Sequence, residues 1–522
     1  MLKKQDYNLI KNQEKGENTM SAEKLKYFCN GEFVESKTDV WYDLHNPSTG
    51  EITGYAPCCT NDEVLAAVEA AKAAYPGWNA TPAIKRSQIL YNVRNLLIEH
   101  MEELTRLVAE ENGKVWSEAE GDVLKAKEGT ELATQVPSLM MGESLMDASK
   151  GYDTVLYRES MGVFAGIVPV NFPAMIPFGW MVPTCVACGN TIVLKAASLT
   201  PRTALRIAEL YKEAGMPNGV VNIVTCSRNE INTLLDHPDI KGITFVGSTP
   251  VGKRIYERAA KAGKRVQALC QAKNHALVLE DAPIERTVAG IINSAYGCAG
   301  QRCMALSCCV VQESIADEFV AELKKQAMKI KVGNSVDKSS KLGPITYKKH
   351  YEEVVADIEK GVKEGATLVL DGRNPELPEE LKDGYFVGPT IFDNVTEDMT
   401  IGTDEVFGPV LCVKRVKDFH EGLAVMNANP YANGSVIFTQ NGHYAREFSR
   451  HTHGGMVGVN VGIPVPIGFF PFAGHKDSFF GDLHCLGKDA YRFFTESKCV
   501  TTRWFDEEEI KKTEVSTWDG TI

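Results

Sequence analysis

The feature that most constrains the fold is a regular alternation of short apolar runs with longer segments of helical spacing. The first series of runs begins after Gly162 and comprises Val163–Val168, Thr191–Leu194, Val221–Val224 and Ile243–Val246. The second series follows Lys273 and comprises Ala276–Leu279, Ser307–Val311, Val410–Val413 and Ser435–Phe438. Because strands that alternate with helices pair in parallel, the pattern predicts two α/β lobes built on doubly wound parallel sheets.

Four further segments complete this outline. Apolar residues at helical spacing predict helices over Asp62–Tyr75 and Ile84–Glu111. Two segments, Ser138–Glu159 and Tyr491–Phe505, fit neither lobe. The first twenty residues are polar and lack the apolar core of a signal peptide, so they are expected to be a disordered tail, or an extension upstream of a start at Met20.

Composition excludes several classes of function. The formal net charge of −12 argues against a nucleic-acid partner, although a local basic pocket for a nucleotide is compatible with it. No apolar run reaches membrane-spanning length, so no membrane partner is expected. The fourteen cysteines lack the short regular spacings of a secreted scaffold, which indicates a reducing cytoplasm. Cys185 and Cys188 form a lone CxxC with no second pair nearby, so no metal site is predicted.

Cys303 is the candidate nucleophile. It follows a turn of small residues, Gly297, Ala299 and Gly300, and precedes a β-rich run. A slim backbone leaves room for a bulky partner beside the thiol, as nucleophilic catalysis by cysteine requires. A buried, inert cysteine in a tight turn is the alternative interpretation, and the spacing alone does not decide between the two.

The segment Phe245–Arg254 is the candidate nucleotide site. It follows a strand, opens a helix, and spaces Gly247 and Gly252 as a phosphate loop does. A Walker A loop needs Ser or Thr after its lysine, whereas Arg254 follows Lys253 here. The pyrophosphate of a dinucleotide, bound at the helix N-terminus, suits the segment better.

Beyond these local arguments, the run Gly300–Ser307 resembles the aldehyde dehydrogenase superfamily, and more narrowly its CoA-acylating branch, the methylmalonate- and malonate-semialdehyde dehydrogenases. The resemblance extends from about Tyr27 to Trp504. The other matching motifs, in chain order, are Asn171–Pro177, Phe245–Ser248, Ala272–His275, Glu405–Pro409, Asn460–Val461 and Ile463–Pro466.

The resemblance implies a domain organisation. A dinucleotide-binding domain would span residues 21–137 and 160–272, and a catalytic domain residues 273–485, after the tail at 1–20. Residues 138–159 and 486–510 would form an antiparallel oligomerisation arm. The protein is therefore expected to be a cytoplasmic homo-oligomer, either a dimer or a tetramer.

The resemblance also implies a chemistry and the residues that perform it. Cys303, as the thiolate, would attack an aldehyde carbon while Asn171 stabilises the oxyanion, and Arg302 and Lys125 would bind a substrate carboxylate. NAD would accept the hydride, and coenzyme A would take the acyl group, with decarboxylation of a 3-carboxylate. The implied cofactor-binding residues are Val168, Val170, Lys195, Ser198, Leu199, Gly247, Ser248, Cys270, Glu405 and Phe407.

One position decides between water and coenzyme A as the acyl acceptor. Hydrolytic members of the superfamily place a glutamate base thirty-four positions before the cysteine, where this chain has Leu269. An apolar side chain cannot take a proton from water, so acyl transfer to coenzyme A is favoured.

The chain departs from the family pattern at several positions besides Leu269. Gln271 replaces a glycine, Lys125 replaces an arginine, Ser198 replaces the glutamate that favours NAD over NADP, and Gly179 resembles a one-residue insertion after Pro177. These changes leave two alternatives open: a dehydrogenase for a non-carboxylated aldehyde, or a catalytically degenerate member kept for binding.

Overall fold

The computed structural model describes residues 22–512, and the tail predicted at 1–20 lies outside the described residues. An eight-stranded sheet, here the N-terminal sheet, lies in the first lobe. Its strands, in spatial order, are Phe479–Gly481, Arg265–Leu269, Ile240–Val246, Val163–Ile167, Thr191–Lys195, Val221–Val224, Tyr27–Cys29 and Glu32–Val34. The middle five pair in parallel, and the outer three are antiparallel.

The second lobe contains a seven-stranded sheet, here the C-terminal sheet. Its strands, in spatial order, are Thr367–Leu370, Thr390–Asp393, Val410–Val416, Leu306–Gln312, Asn274–Val278, Gly434–Phe438 and Met456–Val459. All but the first pair in parallel. Every run that the sequence pattern predicted as a strand is therefore confirmed, and so is the prediction of two parallel-sheet lobes.

Helices cover both sheets. The α-helices of the N-terminal half are Asn61–Ala80, Ala83–Glu99, Met101–Asn112, Trp116–Ala133, Val136–Leu139, Val182–Ala187, Arg202–Glu213, Arg228–Asp236 and Thr249–Lys261. Those of the C-terminal half are Ile284–Tyr296, Glu313–Ala327, Lys348–Lys363, Thr400–Thr403, Phe419–Ala428, Gly442–His451 and Gly487–Phe493. Short strands form two small sheets outside the main ones. In the first, Ile52–Pro57 lies between Glu23–Lys24 and Trp41–His45 and pairs with both. In the second, Tyr431–Ala432 pairs with His475–Lys476.

The long helix predicted over Ile84–Glu111 is wrong in one respect, because the structure divides it at His100. The backbone of His100 has φ −97° and ψ 18°, which ends one helix and starts the next. Apolar spacing continues across the break, so periodicity gives no sign of it. The first predicted helix is also longer than expected and continues past Tyr75 to Ala80.

Alternate residues of the N-terminal strands face two separate apolar layers. Phe164 and Ile192 belong to one layer, whereas Val163 and Val193 belong to the other. All four side chains are almost completely buried. Burial of a large aliphatic or aromatic side chain contributes about 1.5–3 kcal/mol each, so both faces of the sheet must be covered by helices.

The remaining sheet is an arm of three antiparallel strands, Ser144–Ser149, Tyr152–Ser160 and Thr495–Arg503. Its long pair runs in unbroken register from Thr495 opposite Ser160 to Arg503 opposite Tyr152. The predicted arm segment that begins at Tyr491 first completes a helix, so its strand starts only at Thr495. Within residues 22–512, no helix combines the length and apolarity needed to cross a membrane.

Candidate active site

The candidate cofactor residues lie at one edge of the N-terminal sheet. Four neighbouring parallel strands end at Ile167, Lys195, Val246 and Leu269, and the predicted residues follow directly. Chain order reverses between the strands Val163–Ile167 and Ile240–Val246, which are neighbours in the sheet. Ligands of open α/β sheets bind at such a switch point, outside the carboxyl ends of the strands.

The structure brings the predicted cofactor positions together around this edge. Val168 is buried and donates its N–H to the Lys195 carbonyl oxygen (3.2 Å). The Val170 carbonyl oxygen accepts from Asn112 Nδ2 (2.8 Å). Burial lowers the pKa of Lys195, while Ser198 hydrogen-bonds the Tyr42 hydroxyl. Leu199, one residue further, is half-buried.

Two more strand ends contribute backbone groups. The Gly247 N–H donates to the Leu269 carbonyl oxygen (3.0 Å), and Ser248, which is exposed, precedes the helix Thr249–Lys261 without capping it through its side chain. Cys270 is buried, and burial raises the pKa of its thiol to about 12. The helix end therefore presents N–H groups that an anionic ligand can accept from.

The C-terminal sheet contributes the opposite ends of its strands. Cys303 lies just before the strand Leu306–Gln312, and its carbonyl oxygen accepts from Asn274 Nδ2 (2.8 Å) and Asn433 Nδ2 (2.9 Å). Asn274 begins one strand, and Asn433 immediately precedes another. The carboxyl ends of one sheet thus face the amino ends of the other, with Cys303 packed against the apolar cluster of the first lobe.

The turn before Cys303 has an unusual backbone. Cys298, Ala299 and Gly300 all have positive φ, at 51°, 53° and 72°, and a left-handed backbone strains the first two. A Cβ added at Gly300 would overlap the Gly408 carbonyl, so the turn lies directly on the segment that carries Glu405. Gly300 is therefore small because the backbone of the turn is in direct contact with the backbone at Gly408.

The thiol of Cys303 is protonated in this arrangement. Burial, followed by the nearby charge of Glu405, raises its pKa to about 12. The Cys303 N–H has no acceptor on another residue within 22–512 and lies near its own thiol. Asn171 is buried and donates from Nδ2 to the Gln301 carbonyl oxygen (3.1 Å), which leaves its second N–H available beside the cysteine segment.

Glu405 faces the thiol from the same lobe. Its Oε1 accepts the Ala272 N–H (3.0 Å), and burial raises its pKa to about 7. Phe407, two residues on, has a left-handed backbone (φ 56°), and its carbonyl oxygen hydrogen-bonds His350 Nε2 (2.9 Å). Burial outweighs the lowering effects of the Ala272 N–H, the Gln271 carboxamide and the Lys273 charge on this pKa, so the carboxyl group is about half ionised at neutral pH.

The two predicted substrate cations both have acidic partners. Arg302 pairs with Glu118 (3.1 Å) and also donates from Nε to Cys298 Sγ (3.2 Å). Glu118 Oε1 additionally accepts the Cys298 N–H (2.8 Å). Lys125 is exposed and pairs with Glu128 on its own helix (2.6 Å). The contacts of Lys125 within the described chain do not connect it with Arg302 or Cys303.

A buried ion pair that sequence reasoning missed lies behind Asn171. Lys114 Nζ lies 2.6 Å from Asp122 Oδ2, and both side chains are almost fully buried. Asp122 Oδ1 accepts the Met175 N–H (2.7 Å), while the Lys114 ammonium lies over the Phe172 ring at 3.6 Å. Neither residue type nor spacing marks such a pair, because its partners meet only through packing of the helix Trp116–Ala133.

The extra residue that the sequence suggested at Gly179 lies in a π-helix, Ile176–Met181. A π-turn contains one residue more than an α-turn, which is how a helix accommodates an insertion, and such turns are frequent at functional sites. A Cβ at Gly129 would overlap the Gly179 carbonyl, so the widened turn packs tightly on the neighbouring helix.

Comparisons with known proteins agree with this geometry. Residues 33–500 match the aldehyde dehydrogenase family. Malonate-semialdehyde dehydrogenase 2 of Geobacillus kaustophilus is 48% identical over 486 residues, which cover 93% of this chain and all of that protein. The malonate-semialdehyde dehydrogenase of Bacillus cereus is 47% identical over 487 residues, with the same coverage.

Two solved structures are similar over nearly their full length. The methylmalonate-semialdehyde dehydrogenase of Oceanimonas doudoroffii has a TM-score of 0.91 at 40% identity and covers 94% of this chain and 99% of its own. A chain from Sinorhizobium meliloti 1021, assigned the same activity and complexed with NAD, has a TM-score of 0.91 at 38% identity with the same coverage.

Proposed function

The chain belongs to the aldehyde dehydrogenase family, and we propose that it oxidises malonate or methylmalonate semialdehyde with NAD and transfers the acyl group to coenzyme A. The observation that carries this proposal is that the chain has Cys303 as a nucleophile and an apolar residue, Leu269, at the position where a hydrolytic base would stand. Leu269 is buried at its strand end within the apolar cluster of the first lobe, and its carbonyl oxygen accepts the Gly247 N–H.

The residues of the N-terminal edge suit NAD. The helix N-terminus that follows Ser248, which the Ser248 side chain does not cap, provides N–H donors for a pyrophosphate, and Lys195 lies at the end of a neighbouring strand. Val168, Val170, Leu199, Gly247 and Cys270 would line this binding edge. When bound, NAD supplies the hydride acceptor. Ser198 offers no carboxylate to repel a 2′-phosphate, so NADP is a matched comparison in any assay.

On the other lobe, Glu405 would bind the nicotinamide ribose, with Phe407 packed beside it. Its pKa of about 7 lets it accept from a ribose hydroxyl as the carboxylate. Because the carboxylate also raises the pKa of the Cys303 thiol, its engagement with a ligand would favour the thiolate.

The chemistry then proceeds at Cys303. Its thiolate adds to the aldehyde carbon, and the C=O electron pair becomes an oxyanion that accepts from Asn171 Nδ2 and the Cys303 N–H. Each such donor is worth about 3–4 kcal/mol in the transition state. Loss of hydride from that carbon leaves a thioester, which the thiol of coenzyme A cleaves to give acyl-CoA and the free Cys303 thiol. A 3-carboxylate on the substrate departs as carbon dioxide, and the carbon that carried it takes up a proton.

A second candidate is oxidation of an aldehyde without a carboxylate. Arg302 and Lys125 would hold the substrate carboxylate, yet both already pair with Glu118 and Glu128. A cation shared with an acidic partner binds a second carboxylate less strongly, and lysine lacks the bidentate fork of arginine. Uncharged aldehydes are therefore the appropriate competing substrates.

We also propose that the protein assembles as a homo-oligomer through its arm. The three-stranded sheet exposes apolar side chains on a surface far from any core, at Leu145, Met146, Tyr157 and Val500. Tyr157 and Val500 share one face of this sheet, whereas Leu145, opposite Thr154, lies on the other, so both faces expose apolar surface of the kind found at interfaces.

The deciding experiment follows NAD reduction with malonate semialdehyde, methylmalonate semialdehyde and propanal, each with and without coenzyme A. CoA-dependent turnover of a semialdehyde, with acyl-CoA identified by mass spectrometry, is the expected result. Preference for propanal would favour the second candidate. CoA-independent turnover would contradict the acylating mechanism, and nucleotide binding without turnover of any of the three would favour a degenerate member.

A further inference from the structure

Gln271 lies between two groups that the proposed cofactor needs. Its Oε1 accepts the N–H of Thr249 (3.1 Å), the first residue of the helix Thr249–Lys261. Its carboxamide also lies near Glu405, which belongs to the other lobe, and acts to lower the pKa of that carboxyl group. One side chain therefore lies between the helix end on one side of the cleft and the carboxylate on the other.

The Thr249 N–H can donate a good hydrogen bond to only one acceptor at a time. The N–H groups of the first helical turn have no partners within the helix, and each can donate one good hydrogen bond. Ser248 makes no capping bond, so the cap comes from Gln271 instead. A phosphate oxygen at the Thr249 N–H must replace Gln271 Oε1, because both would occupy the same position.

The backbone fixes Gln271 in place while its side chain spans the cleft. Its N–H donates to Thr249 Oγ1 (3.2 Å), and its carbonyl oxygen accepts from Ser478 Oγ (2.7 Å). The Thr249 hydroxyl in turn donates to the Asp477 carbonyl oxygen (2.9 Å). Only the half-buried side chain is then able to move away without disturbing the strand ends around it.

We propose that the Gln271 carboxamide is a latch across the dinucleotide cleft, which the cofactor must displace in order to bind and which thereby sets a weaker affinity for NAD. This inference rests on the proposed function. A glycine or alanine at this position has no atoms that reach either group, so a chain with a short residue here binds the cofactor without breaking the bond at Thr249.

The test is a calorimetric titration of the full-length wild type and Gln271→Ala with NAD. Displacing the hydrogen bond at Thr249 predicts a Kd about fivefold lower for the variant. Gln440→Ala is the matched control, because Gln440 is an exposed glutamine outside the cleft, and its Kd should equal that of the wild type. An unchanged or higher Kd for Gln271→Ala would overturn the latch.

Two fragments of the cofactor localise the effect. ADP carries the pyrophosphate and should gain affinity in Gln271→Ala, whereas adenosine, which carries none, should bind both proteins alike. An equal gain for adenosine would overturn the assignment to the helix end. If NAD binds neither protein, both the proposed function and the latch are refuted. If NAD binds both proteins with equal affinity, only the latch is refuted.

Thermal melting separates the latch from a merely structural role. Without ligand, Gln271→Ala should melt below the wild type because it loses the bond at Thr249. With saturating NAD, the increase in melting temperature should be larger for the variant, since ligand stabilisation grows as Kd falls. Equal increases in the two proteins would contradict the proposal.

Discussion

Replacement of Asp122 by asparagine isolates the charge of the buried pair behind Asn171. The amide keeps the size of the side chain and an oxygen that can accept the Met175 N–H, as Oδ1 does now. It removes the only carboxylate that Lys114 contacts within residues 22–512, and the Lys114 side chain is 2% exposed. Removing one partner of a buried pair typically costs about 3–5 kcal/mol of unfolding free energy.

The protonation equilibrium sets a ceiling on that cost, because an unpaired buried group can become neutral instead. An ordinary lysine with a pKa of about 10.4 loses its proton at a cost of about 4.6 kcal/mol at pH 7, and about 1.9 kcal/mol at pH 9. For the reciprocal change Lys114→Met, an aspartate with a pKa of about 3.9 takes up a proton at a cost of about 4.2 kcal/mol at pH 7, and about 1.5 kcal/mol at pH 5. The two variants should therefore recover stability in opposite pH directions.

Melting temperatures at pH 5, 7 and 9, each referenced to the wild type at the same pH, measure this directly. Unfolding of a 522-residue chain as one unit carries an entropy of about 1.1 kcal/mol/K, so Asp122→Asn should lower the midpoint by about 3–4 °C at pH 7 and by about 2 °C at pH 9. The double variant Lys114→Met with Asp122→Asn leaves no buried charge and should regain most of the loss. Deficits that do not change with pH, or that stay below about 1 °C, would refute the reasoning.

Three further predictions address the nucleophile, the carboxylate and the helix contact. Iodoacetamide at pH 7.5 should alkylate the exposed Cys499 well before Cys303, because burial raises the pKa of the Cys303 thiol to about 12. Equal alkylation rates, measured by mass spectrometry, would contradict this. Cys303→Ala should abolish NAD reduction, whereas Cys499→Ala should retain it. Burial raises the pKa of Glu405 from 4.5 to about 7, so folding takes up a proton, and the wild type should lose stability relative to Glu405→Gln as pH rises from 4.5 to 7, as melting temperatures would show. On the helix Trp116–Ala133, Gly121→Ala meets no atom within 4 Å and should gain about 1 kcal/mol in unfolding free energy, whereas Gly129→Ala should lose stability because its Cβ overlaps the Gly179 carbonyl.

The sequence predicted both parallel sheets because buried parallel strands are continuous apolar runs, a signal that survives without tertiary information. It also predicted that Lys195 and Ser248 share one edge, since both directly follow such runs. It did not predict that the second sheet presents its amino ends to that edge, because relative orientation of two lobes leaves no periodic pattern. The Lys114–Asp122 pair was missed for a different reason, because its partners meet only through packing of the helix Trp116–Ala133.

Gln271 shows where position and contact differ. The departure from glycine was visible in the sequence, and so was its nearness to the cofactor edge. Its partners were not, because Thr249 meets Gln271 through the pairing of two neighbouring strands, and Glu405 approaches it only once the two lobes pack together. The break at His100 is a smaller instance, since the apolar spacing on either side remains in phase.

The contact between Gly300 and Gly408 has a mechanical consequence. It presses the turn before Cys303 onto the segment that carries Glu405, so thiol and carboxylate belong to one stiff block. Ser248 and Lys195 belong to the other block, across the cleft. Relative motion of the blocks changes the spacing between the helix end and the thiol, but leaves the spacing of thiol and carboxylate intact. A ligand bound to both blocks would hold the distance between them constant, and its departure would allow that distance to change.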